Sequence, residues 1–231
     1  MEANRQRIFE HTRPQFIRCW HDVAYNSGAL VACLYEYWLC YNTPRFAKRL
    51  HYIPLPMEVP HESSARIKGM GRTIKVLVGI QPKRDYLKGT MRIASFVESV
   101  ARRHPGKIEI KYVEGVPYDE YMRMLDEADV LVDQLYSYTP SMNSLAAMAR
   151  GTVVIGGGEN DYYNFIGEPK LRPIINVRPD ISDGENETTI EQAFFTEGQL
   201  QRMSRQSIEF TRKYHDYRSV AEQYEKLYRS L

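Results

Sequence analysis

Short, unbroken apolar runs alternate along most of this chain with segments whose apolar residues recur at helical spacing. From residue 74 onward the alternation is regular. Ile74 to Ile80 (IKVLVGI) reads as a strand, and Thr90 to Arg103 as a helix with Ile93, Phe96, Val97 and Val100 on one face. Ile108 to Val113 is the next strand, and Tyr118 to Glu127 a helix showing Tyr121, Met124 and Leu125. The stretch ADVLVDQLYSYTPSMNSLAAMARGTVVIGGG organises the rest. It predicts a strand at Val130 to Leu135, a polar turn, a helix from Pro140 to Arg150, and a strand from Thr152 to Ile155 that opens into three glycines. Both strands are continuous rather than alternating, the pattern of a parallel sheet covered on both faces. Thr139-Pro140 is a helix-start signal, because Thr can cap and Pro suits the first helical position. A short helix near Tyr162 to Ile166 and a strand at Pro173 to Val177 complete an α/β pattern that calls for a doubly wound parallel sheet.

The flanks differ. Residues 1 to about 27 are polar with Phe9, Phe16, Ile17, Trp20 and Val23 at roughly helical spacing. Ala29 to Leu34 reads as a strand, Tyr35 to Tyr41 as an aromatic helix, and Tyr52 to Leu55 as a strand ended by Pro54 and Pro56. This β-α-β piece is too small to be a domain. The segment PMEVPHESSARIKGMG has a linker composition, so the expected division is 1–60 and 61–231. Asp180 to Glu187 (DISDGENE) is expected to be a solvated loop. Helices at 189–195, 197–214 and 217–230 end the chain, with Leu200, Met203, Ile208, Phe210, Tyr214, Val220, Tyr224 and Leu227 forming an amphipathic stripe.

Composition narrows the function. The chain has 231 residues, 31 basic and 29 acidic, a formal charge of +2 that is too balanced for nucleic acid or an anionic membrane as the main partner. No apolar run approaches the ~18 residues of a membrane span, and MEANRQRIFEH has no signal-peptide core. Three cysteines in apolar or aromatic surroundings point to a reduced, cytoplasmic protein. Six histidines show no metal-ligand spacing, so no metal is expected. The glycine fingerprints of dinucleotide and P-loop sites do not occur. The aromatic group Tyr35, Tyr37, Trp38 and Tyr41 could stack a sugar, but its helical spacing favours packing.

Ligands of open α/β sheets collect at the carboxyl ends of the strands. Ser137 to Asn143 is therefore the first place to expect a phosphorylated ligand, and Arg84 and Lys88 after the strand at 74–80 face the same rim. A guanidinium gives a forked contact to a diphosphate and an ammonium a point charge.

VGIQPKRDYLKGT, GVPYDEYMRMLDEADVLVDQL and SLAAMARGTVVIGG together resemble the carboxyl-terminal, donor-binding half of a group 1 (family 4) retaining glycosyltransferase of the GT-B fold. Gly79, Arg84, Lys88-Gly89 and Ala147 to Gly151 occupy the places of that family's motifs, and LVACLYEYWLCY…LHYIPLP looks like the close of its amino-terminal domain. The resemblance implies hexosyl transfer from a nucleotide-diphospho-sugar to a glycan or lipid-linked acceptor, with no metal and no cofactor. It makes Arg84 and Lys88 the catalytic cations. Gly79, Ser137, Thr139, Ser141, Met142, Asn143, Gly157 and Glu159 become the donor contacts. Peripheral membrane contact and a homo-oligomer stay open. Two departures stand out. The family carries glutamates at the positions of Tyr138 and Ala146, and a methyl group at 146 cannot accept hydrogen bonds from ribose hydroxyls. Either Asn143 or Glu159 holds the donor differently, or donor binding is lost. The chain also holds only one and a fraction of the two Rossmann-like domains such an enzyme needs, so it is expected to be a fragment, or a part completed by a partner and inactive alone. The alternative is a non-catalytic module that completes its sheet with a partner.

Overall fold

The computed structural model describes residues 14–60, 72–81 and 84–231; Phe9, most of the predicted linker, and Pro82 and Lys83 lie outside them. The amino-terminal segment contains α1 (Pro14–Asn26), β1 (Leu30–Ala32), α2 (Tyr35–Tyr41) and β2 (Leu50–Tyr52). Then come β3 (Ile74–Gly79), α3 (Asp85–Lys88), α4 (Thr90–Arg103), β4 (Ile108–Val113), α5 (Tyr118–Glu127) and β5 (Val130–Val132). The rest is α6 (Met142–Met148), β6 (Val153–Gly156), α7 (Asn160–Phe165), β7 (Ile174–Asn176), α8 (Asp183–Phe195), α9 (Gln199–His215) and α10 (Tyr217–Ser230).

The main sheet has five strands in the order β4-β3-β5-β6-β7, and every pairing is parallel. Alternate strand residues face opposite layers. Val76, Val78, Val130, Val132, Val153 and Ile155 pack against Ile93, Phe96 and Val97 of α4, Ile190 and Phe194 of α8, and Leu200 and Met203 of α9. Leu77, Leu131 and Val154 face the other way, onto Leu125 of α5, Met148 of α6, Tyr162 and Tyr163 of α7, and Phe210 of α9. Burial on both faces explains the continuous apolar runs, and each such side chain contributes about 1.5–3 kcal/mol. The direction of strand addition reverses between β3 and β5, so a crevice opens at their carboxyl ends.

The amino-terminal segment forms a separate two-stranded parallel sheet, β1-β2, in which Leu30 pairs with Leu50 and Ala32 with Tyr52. That register starts β2 earlier than the apolar pattern suggests. The last helix returns to this segment: Val220 and Leu227 of α10 pack with Ile53 and Ala29. The Met57 amide donates to the His215 carbonyl at 2.6 Å, and the Tyr217 amide to Met57 at 3.2 Å. Val220 and Leu227 are thus buried against the described amino-terminal segment, while most of α10 stays exposed.

Two sequence expectations need correction. DISDGENE is not a loop throughout, because α8 begins at Asp183 with Ser182 and Glu185 exchanging both bonds of a capping box. Asn186, fully buried, then clamps Arg178 through its backbone N–H and C=O at 2.9 Å each. The helix expected from Pro140 starts at Met142, with Ser141 at the cap position. Neither Thr139 nor Ser141 caps it, because both hydroxyls are held by carboxylates.

Candidate functional site

The crevice at the switch point is built from the turns after β3 and β5. The first includes Gly79, Arg84 at the cap position before α3, and Gly89, which ends that helix in the left-handed conformation (φ 67°). A side chain at 89 would also come within 2.9 Å of the Leu135 Cβ and closer still to the Tyr136 ring, so glycine is required twice over. The turns are laced together by backbone: the Leu135 amide donates to the Lys88 carbonyl at 2.7 Å, and the Thr90 hydroxyl to the Asp133 carbonyl at 2.7 Å. The structure thus places the Arg84–Lys88 turn directly beside the residues leading into Ser137. Arg84 is exposed and Lys88 half-buried, and among the described residues neither side chain has an ion pair or a hydrogen bond.

The second turn is polar but internally satisfied. Asp133, 4% exposed, accepts from the Ser141 hydroxyl at 3.1 Å and from the Ser144 hydroxyl. Asn143 accepts from the Tyr121 hydroxyl at 2.9 Å, and burial raises the Tyr121 phenol above its ordinary pKa. Tyr121 also stands over Gly79, where a Cβ would meet its hydroxyl at 3.4 Å. Gly79, Tyr121 and Asn143 therefore form one wall of the crevice. Met142 is 49% exposed at the start of α6.

One functional candidate escaped the sequence reading. Glu36, near the start of α2, reaches across to the same turn. Its Oε1 accepts from the Ser137 hydroxyl at 2.7 Å, the Tyr138 amide at 2.5 Å and the Thr139 amide at 3.1 Å; its Oε2 accepts from the Thr139 hydroxyl at 2.6 Å. The contact spans some hundred residues of chain, and no local periodicity or motif marks it. The seam around it is aromatic. Tyr35 lies 4.9 Å from Phe165 and 6.0 Å from Tyr138, and Trp38 4.7 Å from Phe165, ring centre to ring centre. Tyr35 and Trp38 thus pack at this seam, whereas Tyr37 is 53% exposed. Burial pushes the Tyr52 phenol, beside Tyr162, up to about 12.

The glycine triplet has a packing explanation. Gly157 lies under the Ser137 carbonyl, with which any Cβ would collide; a Cβ at Gly158 would press on Ile174 at 3.0 Å. The Gly158 amide donates to Asn176 at 2.8 Å. Glu159, at the cap of α7, stands 3.8 Å from the Arg178 guanidinium. Gly79, Arg84, Lys88, Ser141, Met142 and Asn143 thus gather at the crevice. Ser137 and Thr139 are engaged by Glu36, Gly157 is buried beneath them, and Glu159 lies beyond, toward β7. Among the described residues no group of three His, Cys, Asp or Glu could hold a metal, and no helix is long and apolar enough to cross a membrane.

Solved structures share this fold. The chain superposes on sucrose-phosphate synthase from Thermosynechococcus elongatus with a TM-score of 0.59 at 14% identity, over 96% of this chain and 65% of that one. HepE of Anabaena, solved with UDP and glucose, gives 0.66 at 11% identity, over 96% of this chain and 68% of that one. The chain carries the GT-B fold, in the manner of its carboxyl-terminal half. TarM gives 0.60 at 13% identity, over 92% of this chain and 46% of that one. This GT-B-like chain therefore spans about two thirds or less of the neighbours it matches. No protein-family profile matches it, and no curated protein sequence does.

Proposed function

We propose that this chain is the donor-binding part of a retaining, metal-independent glycosyltransferase of the family 4 type, taking a nucleoside-diphospho-sugar. The observation that carries the reading is the pair Arg84 and Lys88: two cations without partners among the described residues, set on the rim of the switch-point crevice beside the turn at 135–143. Charged side chains on a surface are ordinarily solvated, but these two share one short turn locked against the second turn. Fixed cations there neutralise a diphosphate as it leaves the sugar, each charge-assisted bond contributing about 1.5–3 kcal/mol. The co-complex of HepE with UDP and glucose supports a nucleotide-sugar as ligand. Tyr121 holds Asn143 in place at the crevice, where it takes over polar contacts that Ala146 cannot make. Because the chain spans only part of those neighbours, donor binding is the activity assigned to it here, and transfer to a glycan or lipid-linked acceptor requires the remainder of a GT-B enzyme.

Isothermal titration with UDP, GDP, ADP and their sugars tests this. Heat of binding is expected for at least one, and Arg84→Glu should abolish it; full affinity in that variant overturns the phosphate role.

One observation favours a second reading, a non-catalytic module. The two-stranded β1-β2 sheet lies beside exposed Trp20 (58%), Val23 (55%) and Tyr37 (53%), a face that a partner or a second copy could cover. Sedimentation over a range of concentrations separates the two, since a strict monomer that binds nucleotide leaves no role for the module.

A further inference from the structure

Four donors converge on the Glu36 carboxylate: the amides of Tyr138 and Thr139 and the hydroxyls of Ser137 and Thr139, all between 2.5 and 3.1 Å. Among the described residues no cation accompanies them. A negative group held only by backbone N–H and hydroxyl dipoles is the composition of an anion-binding nest. The nest is continuous with the rim that carries Arg84 and Lys88, through the Lys88 carbonyl bound by Leu135, and Tyr138 beside it is 42% exposed. Glu36 itself belongs to another part of the chain. It arrives on α2, a short helix of the amino-terminal segment that also meets the sheet unit through aromatic packing, Tyr35 on Tyr138, Tyr162 and Phe165 and Trp38 on Phe165.

We propose that the Ser137–Thr139 nest is a phosphate site of the donor crevice, occupied in this structure by Glu36 as an internal competitor. The proposal rests on the donor-binding reading above and adds its regulation. The same four donors cannot serve a carboxylate and a phosphate together, and two negative groups repel each other there. A diphosphate therefore enters the nest only as Glu36 withdraws, which loosens α2 from the turn. An intramolecular competitor acts at an effective concentration in the millimolar range or above. A lone monovalent anion does not displace it, whereas a diphosphate that also engages Arg84 and Lys88 does. Donor occupancy is thereby coupled to the placement of the amino-terminal segment, since a ligand that prefers the withdrawn state must favour it.

The experiment is calorimetric titration of the full chain with inorganic pyrophosphate and with UDP, in the unmodified protein and in Glu36→Gln and Glu36→Ala. Removing the competitor should tighten both ligands by about tenfold, within the 5–150-fold span of ordinary site-to-site coupling. Binding of UDP with unchanged or weaker affinity in both variants overturns the competition and leaves the donor-binding reading standing. Binding in the variants alone supports it in its strongest form. No binding by any of the three proteins overturns the donor-binding reading, and the competition with it. Hydrogen exchange guards against a folding artefact. The Tyr138 and Thr139 amides should be protected in the unmodified protein, fast in Glu36→Ala, and protected again by pyrophosphate; protection that returns nowhere in this turn when pyrophosphate binds counts against the nest.

Discussion

The turn after β3 and the turn after β5 lie against each other on one rim, yet they use their polar groups in opposite ways. Arg84 and Lys88 on the first have no partner among the described residues, and the first of them stands in solvent. The second turn is richer in donors, but Asp133 takes the hydroxyls of Ser141 and Ser144, and Glu36 takes Ser137, Tyr138 and Thr139. Buried donors must be satisfied, so a turn packed over Gly157 and against α6 acquires internal acceptors, whereas long cationic side chains in water need none. On the proposed reading, the first turn meets an external anion as it stands, while the second must first release Glu36.

The comparison can be broken most violently at Gly157. Gly157→Ala forces the Ser137 carbonyl off its seat, and a backbone that cannot move aside should cost more than about 3 kcal/mol, read as a lower urea midpoint and a loss of protection at residues 137–139. Next in size is a pH effect at the seam, away from both turns. His215 is 2% exposed, burial lowers its imidazole to about 4 despite the 2.9 Å contact of its Nδ1 with the Leu55 carbonyl, and its Nε2 has no partner. The unfolded chain binds a proton below about 6.5 that the folded chain refuses until about 4, so stability falls as pH drops through that window, by roughly 2–3 kcal/mol at its end. Urea titrations at pH 7.5 and pH 5 check it, and His215→Asn should flatten the slope; ligand comparisons between the turns belong above pH 6.5. Asp133→Ala, which strands the buried Ser144 hydroxyl, should cost about 1–3 kcal/mol in the same assay. Smallest of all, Arg84→Ala and Lys88→Ala should leave stability within about 0.5 kcal/mol while weakening pyrophosphate, because nothing among the described residues uses their charge. A large stability loss there would erase the contrast.

Much of the scaffold was legible from local pattern. Helices α2, α4, α5 and α10 run between the residues that periodicity assigned, and the strands fall within or close to the predicted runs. The capping box that starts α8 was written in Ser182 and Glu185 but hidden by an acidic composition that also suits a loop. Gly79, Arg84, Lys88 and the 137–143 turn, singled out in the sequence, follow β3 and β5, which are neighbours in the parallel sheet. Thr139 looked like a helix cap because Thr-Pro is a local signal, and it lost that role to a carboxylate from a distant segment.

What the sequence determined by itself is the α/β class, the strand order's consequences for one rim, and the cations on that rim, because apolar period and chain direction are local properties that the parallel sheet inherits. What only the tertiary structure decided is who meets whom across that rim: Glu36 in the nest of Ser137 to Thr139, Ser137 over Gly157, α10 against the amino-terminal segment. Those contacts join residues that share no period and no motif. They are selected by the requirement that buried donors and apolar faces find partners wherever the packed chain happens to bring them.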